Sequence, residues 1–114
     1  MARVVAFVPD LLFGSNVIGA LRAAGHDAVL VSDPASVDPA AADVLVVDLT
    51  ADAADRVALV RQAGLGDVGT LAFYSHVEGD VRSLAEQAGF DLVVPRSRMA
   101  REGAALVSRL AASR

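Results

Sequence analysis

Five short apolar runs recur along the chain: Val4 to Val8, Ala28 to Val31, Val44 to Val47, Leu71 to Tyr74 and Leu92 to Val94. Each is continuous rather than alternating, the pattern expected of parallel strands covered by helices on both faces. Amphipathic segments lie between them. Val81, Leu84, Ala85 and Ala88 fall at i, i+3, i+4 and i+7, and Met99, Gly103, Leu106, Val107 and Leu110 repeat that spacing in the last segment. Three segments stop in the same pair, at Ala24-Gly25, Ala63-Gly64 and Ala88-Gly89, where glycine can take the left-handed cap before the chain turns into the next strand. This repeat predicts an α/β, three-layer doubly wound sandwich built from five βα units around a five-stranded parallel sheet. Right-handed crossovers leave few strand orders, of which 2-1-3-4-5 leads.

The second unit is irregular. Only Asp33 to Ala42 separates the second and third strands, and it contains Asp33-Pro34 and Asp38-Pro39, each an N-cap followed by proline at the first helical position. A short or broken second helix is expected, with its sheet face thinly covered. Thin cover would mark either a partner surface or a small protein's economy.

A chain of 114 residues is the length of one domain, so residues 1–114 are expected to form a single domain whose output passes to a separate partner or through self-association. Surface scaling gives a folded area of about 5,900 Å². The absence of cysteine excludes a disulfide framework, a thiolate metal site and a cysteine nucleophile. Few aromatics, no tryptophan and a net charge of −4 argue against nucleic-acid binding. No apolar run approaches the roughly 18–20 residues of a membrane span, and the opening residues read as a strand rather than a cleavable signal, so a cytoplasmic location is expected. The charge is uneven: residues 1–95 carry five Arg against thirteen acids, residues 96–114 five Arg against one.

In open parallel sheets ligands bind beyond the carboxyl ends of the strands. The residues there are Asp10, Asp33, Asp48, Ser75 with His76, and Arg96. Asp10 and Asp48 follow strands that are neighbours in the expected order, which makes them candidate, weak metal ligands. Asp10 alternatively caps the helix following Phe13-Gly14-Ser15-Asn16, and that Gly14-Ser15-Asn16 turn could offer backbone N–H groups to an anion. Asp48 reads as a phosphoacceptor or as a polar strand end paired with a cation. His76 could act as a general base or pH-sensitive donor, but the adjacent Ser75 points to the other side of an extended chain, and no Gly-x-Ser-x-Gly elbow is present. His26 reads as a solvated turn residue at the opposite edge of the sheet. If Ser97 caps the last helix, Arg98 and Arg101 stand in its first turn, where the dipole disfavours each by about 0.3–1 kcal/mol. Asp48, Glu102, a bound anion or an acidic partner must then compensate.

Three motifs carry a resemblance. Val44-Leu-Val-Val-Asp48-Leu is similar to the strand ending in the phosphoacceptor Asp of response-regulator receivers, a flavodoxin-like family. Leu71-Ala-Phe-Tyr-Ser75 resembles the strand ending in the switch Thr or Ser, and Ala88-Gly-Phe-Asp91-Leu-Val-Val the approach to the fifth strand. Two departures stand beside them. Receivers carry an acidic pair for Mg²⁺ where this chain has Pro9-Asp10, and a Lys-Pro pair where it has Pro95-Arg96. Metal and cation neutralise charge in phosphoryl transfer, and arginine's planar fork does not replace lysine's point charge freely. The resemblance therefore implies a degenerate or pseudo-receiver, a non-enzymatic signalling module acting through protein contacts. It also implies a contact face on the fourth helix, fifth strand and fifth helix, for a partner or a homodimer. There Arg98, Arg101 or Arg109 would meet acids such as Asp80 or Glu86 around an apolar centre from Val81, Leu84 or Leu106. The alternatives are a protein holding a small anion over Ser15, Ser75, His76 and Arg96, and a working Mg²⁺-dependent receiver at Asp48.

Overall fold

The structure, a computed structural model, describes residues 2–75 and 79–113. In chain order the elements are β1 Arg3–Phe7, α1 Leu11–Ala23, β2 Asp27–Leu30, two 3-10 turns at Pro34–Ser36 and Pro39–Ala41, and β3 Val44–Asp48. They continue with α2 Ala53–Ala63, β4 Gly69–Tyr74, α3 Gly79–Gln87, β5 Leu92–Pro95 and α4 Arg96–Ala112. All neighbouring strands pair in parallel, in the order β2-β1-β3-β4-β5. This is the flavodoxin-like arrangement that the apolar runs predict. The fourth and fifth helices of the five-unit reading are α3 and α4, because the second crossover contains no α-helix.

Strand periodicity divides the core into two layers. Val4, Ala6, Val44, Val46, Leu71 and Phe73 face α1 and α4, against Val17, Ile18, Leu21, Met99, Leu106 and Leu110. Leu45, Val47, Ala72 and Tyr74 face the other way, against Val57 and Val60 of α2 and Val81 and Ala85 of α3. Every residue of β3 is buried, as its central place requires. All three Ala-Gly ends carry glycine at positive φ, as the left-handed cap demands.

The second crossover is broken where the Asp-Pro pairs predict. Asp33 accepts from the Ala35 N–H at 2.9 Å and Asp38 from the Ala40 N–H at 3.0 Å, so each carboxylate caps one 3-10 turn. Buried Pro34 and Val37 fill part of the space a helix would occupy. The cover is thin at the sheet edge, where Val29 stays 47% exposed.

Candidate functional site

The site is built at the carboxyl edge, where β1, β3, β4 and β5 release their loops. Asp48 ends β3 with its side chain buried. One carboxylate oxygen accepts from the Thr50 backbone N–H at 2.7 Å and from the Thr50 hydroxyl. The other lies 3.4 Å from Nη1 of Arg56, which also donates to the Asp48 carbonyl at 3.0 Å. Both oxygens are thus engaged within the chain, and Arg56, itself largely buried, balances the charge. Arg56 stands in the first turn of α2, a place that disfavours cations, and its carboxylate partner offsets that cost. The intervening loop bends sharply: Asp52 is left-handed, at φ 50° and ψ 40°, and leaves α2 without a side-chain cap.

Asp10 serves as a cap. Its carboxylate accepts from the Phe13 N–H at 2.9 Å, and α1 starts at Leu11. The turn expected at Gly14-Ser15-Asn16 is therefore helix, and Ser15 stands exposed inside α1. With Asp10 as cap, the Gly14 N–H bonds the Asp10 carbonyl at 2.7 Å, so no loop of free amides remains there for an anion. Ser75 follows β4, half-buried, and His76 lies outside the described residues.

Arg96 opens α4 and lies over the ring of Phe13, 4.3 Å from its centroid. Phe13 in turn meets Phe73 edge-on, with centroids 5.2 Å apart. Arg96 is thus directed to an aromatic face, where the ring quadrupole attracts it, and the cation beside Asp48 is Arg56. The helix begins after Pro95 rather than at a Ser97 cap, which moves Arg101 into its second turn. Arg98 and Arg101 both reach Glu102, at 3.4 and 3.7 Å, so the compensating acid lies within the helix. On the α3–β5–α4 face, Val81 and Leu106 are buried in the two core layers, which corrects the expectation that they supply a free apolar centre, and Leu84 is half-buried against the second layer.

Mg²⁺ does not fit this donor set. The Asp10 carboxylate is turned to its helix, Arg56 faces the Asp48 oxygen that a dication would need, and the described residues contain no group of three metal-ligating side chains.

At the opposite edge His26 is buried rather than solvated. Its Nδ1 accepts from the Ala2 N–H at 3.1 Å, which puts the proton on Nε2, 2.9 Å from Ser108 Oγ. Ser108 donates onward to the Ala104 carbonyl at 3.0 Å. The proton runs from histidine towards serine, the reverse of what an activated nucleophile requires. This latch, between residues 82 apart, has no local sequence signal.

No family model and no curated protein sequence matches the chain. Solved structures do. A response regulator receiver protein from Burkholderia phymatum is 18% identical, with a TM-score of 0.80 over 98% of this chain and 96% of that one. A receiver domain from Clostridium thermocellum is 12% identical, with a TM-score of 0.79 over 99% and 96%. A response regulator from Burkholderia pseudomallei, described with a phosphorylated aspartic acid and a calcium ion, is 12% identical, with a TM-score of 0.74 over 99% and 70%. The chain has the receiver fold. No described helix is long and apolar enough to cross a membrane.

Proposed function

We propose that this protein is a non-enzymatic regulatory module of receiver type, one that acts through protein contacts and has lost efficient phosphorylation of its strand-end aspartate. The observation that carries the reading is the closure of Asp48 by Thr50 and Arg56. Aspartyl phosphorylation needs a carboxylate oxygen free to attack phosphorus, with a metal and a cation placed to neutralise the transferring oxygens. Here one oxygen is saturated by Thr50, the other faces a guanidinium, and Arg96 lies on Phe13. The phosphorylated aspartic acid of the B. pseudomallei neighbour is a state of that protein, and this chain's donor set does not favour it. Contacts then carry the output. The α3–β5–α4 face, with Arg98 and Arg109 of α4 beside Leu92 of β5, suits a protein with an acidic surface bound through a polar, salt-sensitive rim, while Arg101 lies on the α1 side of α4.

Incubation with Mg²⁺ and a small-molecule phosphodonor, followed by intact-mass measurement, tests the reading. The expected product is the unmodified chain. A stoichiometric phosphate adduct that disappears in Asp48→Asn would overturn it in favour of a working receiver.

A further inference from the structure

An open sheet has two edge strands whose outward backbone groups meet no further strand, and here the two edges differ. At one edge β5 is short, ends in Pro95, which has no N–H to offer, and exposes none of its side chains. At the other, β2 presents Val29 and Leu30, 47% and 38% exposed, the only large apolar side chains so exposed in any strand among the described residues. The N–H groups of Asp27 and Val31 bond the Ala2 and Ala6 carbonyls of the β1 segment at 2.9 Å each, and backbone groups alternate along a strand. Those of Ala28 and Leu30 therefore point outward. One of these outward groups is occupied from within the chain. Arg22, exposed in the last turn of α1, donates to the Ala28 carbonyl through Nε at 3.1 Å and Nη2 at 2.8 Å.

We infer that Arg22 guards this edge: it holds the outward carbonyl of Ala28 and so keeps β2 from pairing with the β2 of a second copy. The register of the strand selects that occupant. In an antiparallel pair with its two-fold axis beside Val29, Ala28 faces Leu30 of the other copy as a hydrogen-bonded pair, and Val29 faces its own counterpart with Cα atoms about 4.5 Å apart. The exposed apolar residues then meet apolar ones, and Asp27 stands opposite Val31. An axis beside Leu30 would instead set Asp27 against Asp33, like charges directly across the strands. In the Val29 register the Ala28 carbonyl must accept from the Leu30 N–H of the second copy. Its two lone pairs are already met by two N–H groups of one guanidinium, which lies where that strand would run. The guard acts whether or not Asp48 accepts phosphate.

The chain has no cysteine, and the separation expected across Val29 lies within the span of a disulfide, so Val29→Cys reports the pairing directly. Arg22→Met keeps the apolar stem and removes both donors. In a glutathione buffer, Arg22→Met in the Val29→Cys background is expected to form the interchain disulfide roughly ten-fold faster or more than Val29→Cys alone, with circular dichroism unchanged. Arg22→Lys, which keeps one cationic donor, is expected to fall between them. Leu59→Cys, exposed on α2, supplies the rate of chance collision and is expected to be indifferent to Arg22→Met. Equal rates at Val29→Cys with and without Arg22 overturn the inference, whether both are fast or both slow. An equal acceleration at Leu59→Cys overturns it too, because association would then not run through the β2 edge.

Discussion

Asp48 and Arg56 show how one pair decides the character of the carboxyl edge. A carboxylate with almost no solvent access is tolerable only when its oxygens are bonded and its charge is balanced, and Thr50 and Arg56 do both. Arg56→Ala removes the balance and leaves the charge buried. That substitution is expected to destabilise the fold by roughly 3 kcal/mol in urea unfolding, with Arg56→Ala, Asp48→Asn recovering much of the loss. No recovery in the double variant would mean that Arg56 acts through packing rather than charge. Asp48 is legible in the sequence as a strand-end acid and Arg56 is not. Eight residues separate them, and only the left-handed bend at Asp52 and the first turn of α2 bring the guanidinium back over the strand end.

The elements follow the apolar pattern closely, and their ends follow hydrogen-bond supply. The start of α1 is set by Asp10, which satisfies the Phe13 N–H. Asp10→Ala is expected to cost about 1 kcal/mol in urea unfolding while leaving Asp48 closed. A loss well above that would mean Asp10 also serves the Asp48 loop. Reading the helix as starting after residues 13–16 misplaces Ser15, because Gly14 suggests a turn locally while its N–H is in fact used by the Asp10 carbonyl. The same kind of error moves the cap of α4 from Ser97 to Pro95 and its first residue to Arg96, with no side-chain cap bond. The Asp-Pro pairs before β3 are read correctly because both the cap and the proline restraint are local.

At the scale of the whole molecule, the folded area of 5870 Å² matches the scaling expected for a chain of this length. Acid stability depends in part on the amino edge of the sheet. Arg3 of β1 donates through its Nε, its Nη2 and its backbone N–H to Asp43, just before β3, and holds that carboxyl below its ordinary value. A depressed carboxyl contributes stability that is complete above the unfolded value, about 3.9, and is lost as pH falls through the lower folded one. Urea midpoints are therefore expected to decline more steeply below pH 4 for the parent than for Asp43→Asn, modestly because the pair is solvated. Parallel curves would remove Asp43 from acid unfolding. The sequence by itself determined the two-sided strands and the broken second crossover, because apolar runs, Ala-Gly ends and Asp-Pro caps act through neighbours along the chain, and with right-handed crossovers it narrowed the strand order to a few. Only the tertiary structure decided which cation meets Asp48, that Arg96 lies on Phe13, and that His26 is latched to Ser108. Each of these joins separate elements, and side chains with several reachable partners are assigned by packing, which no local pattern encodes.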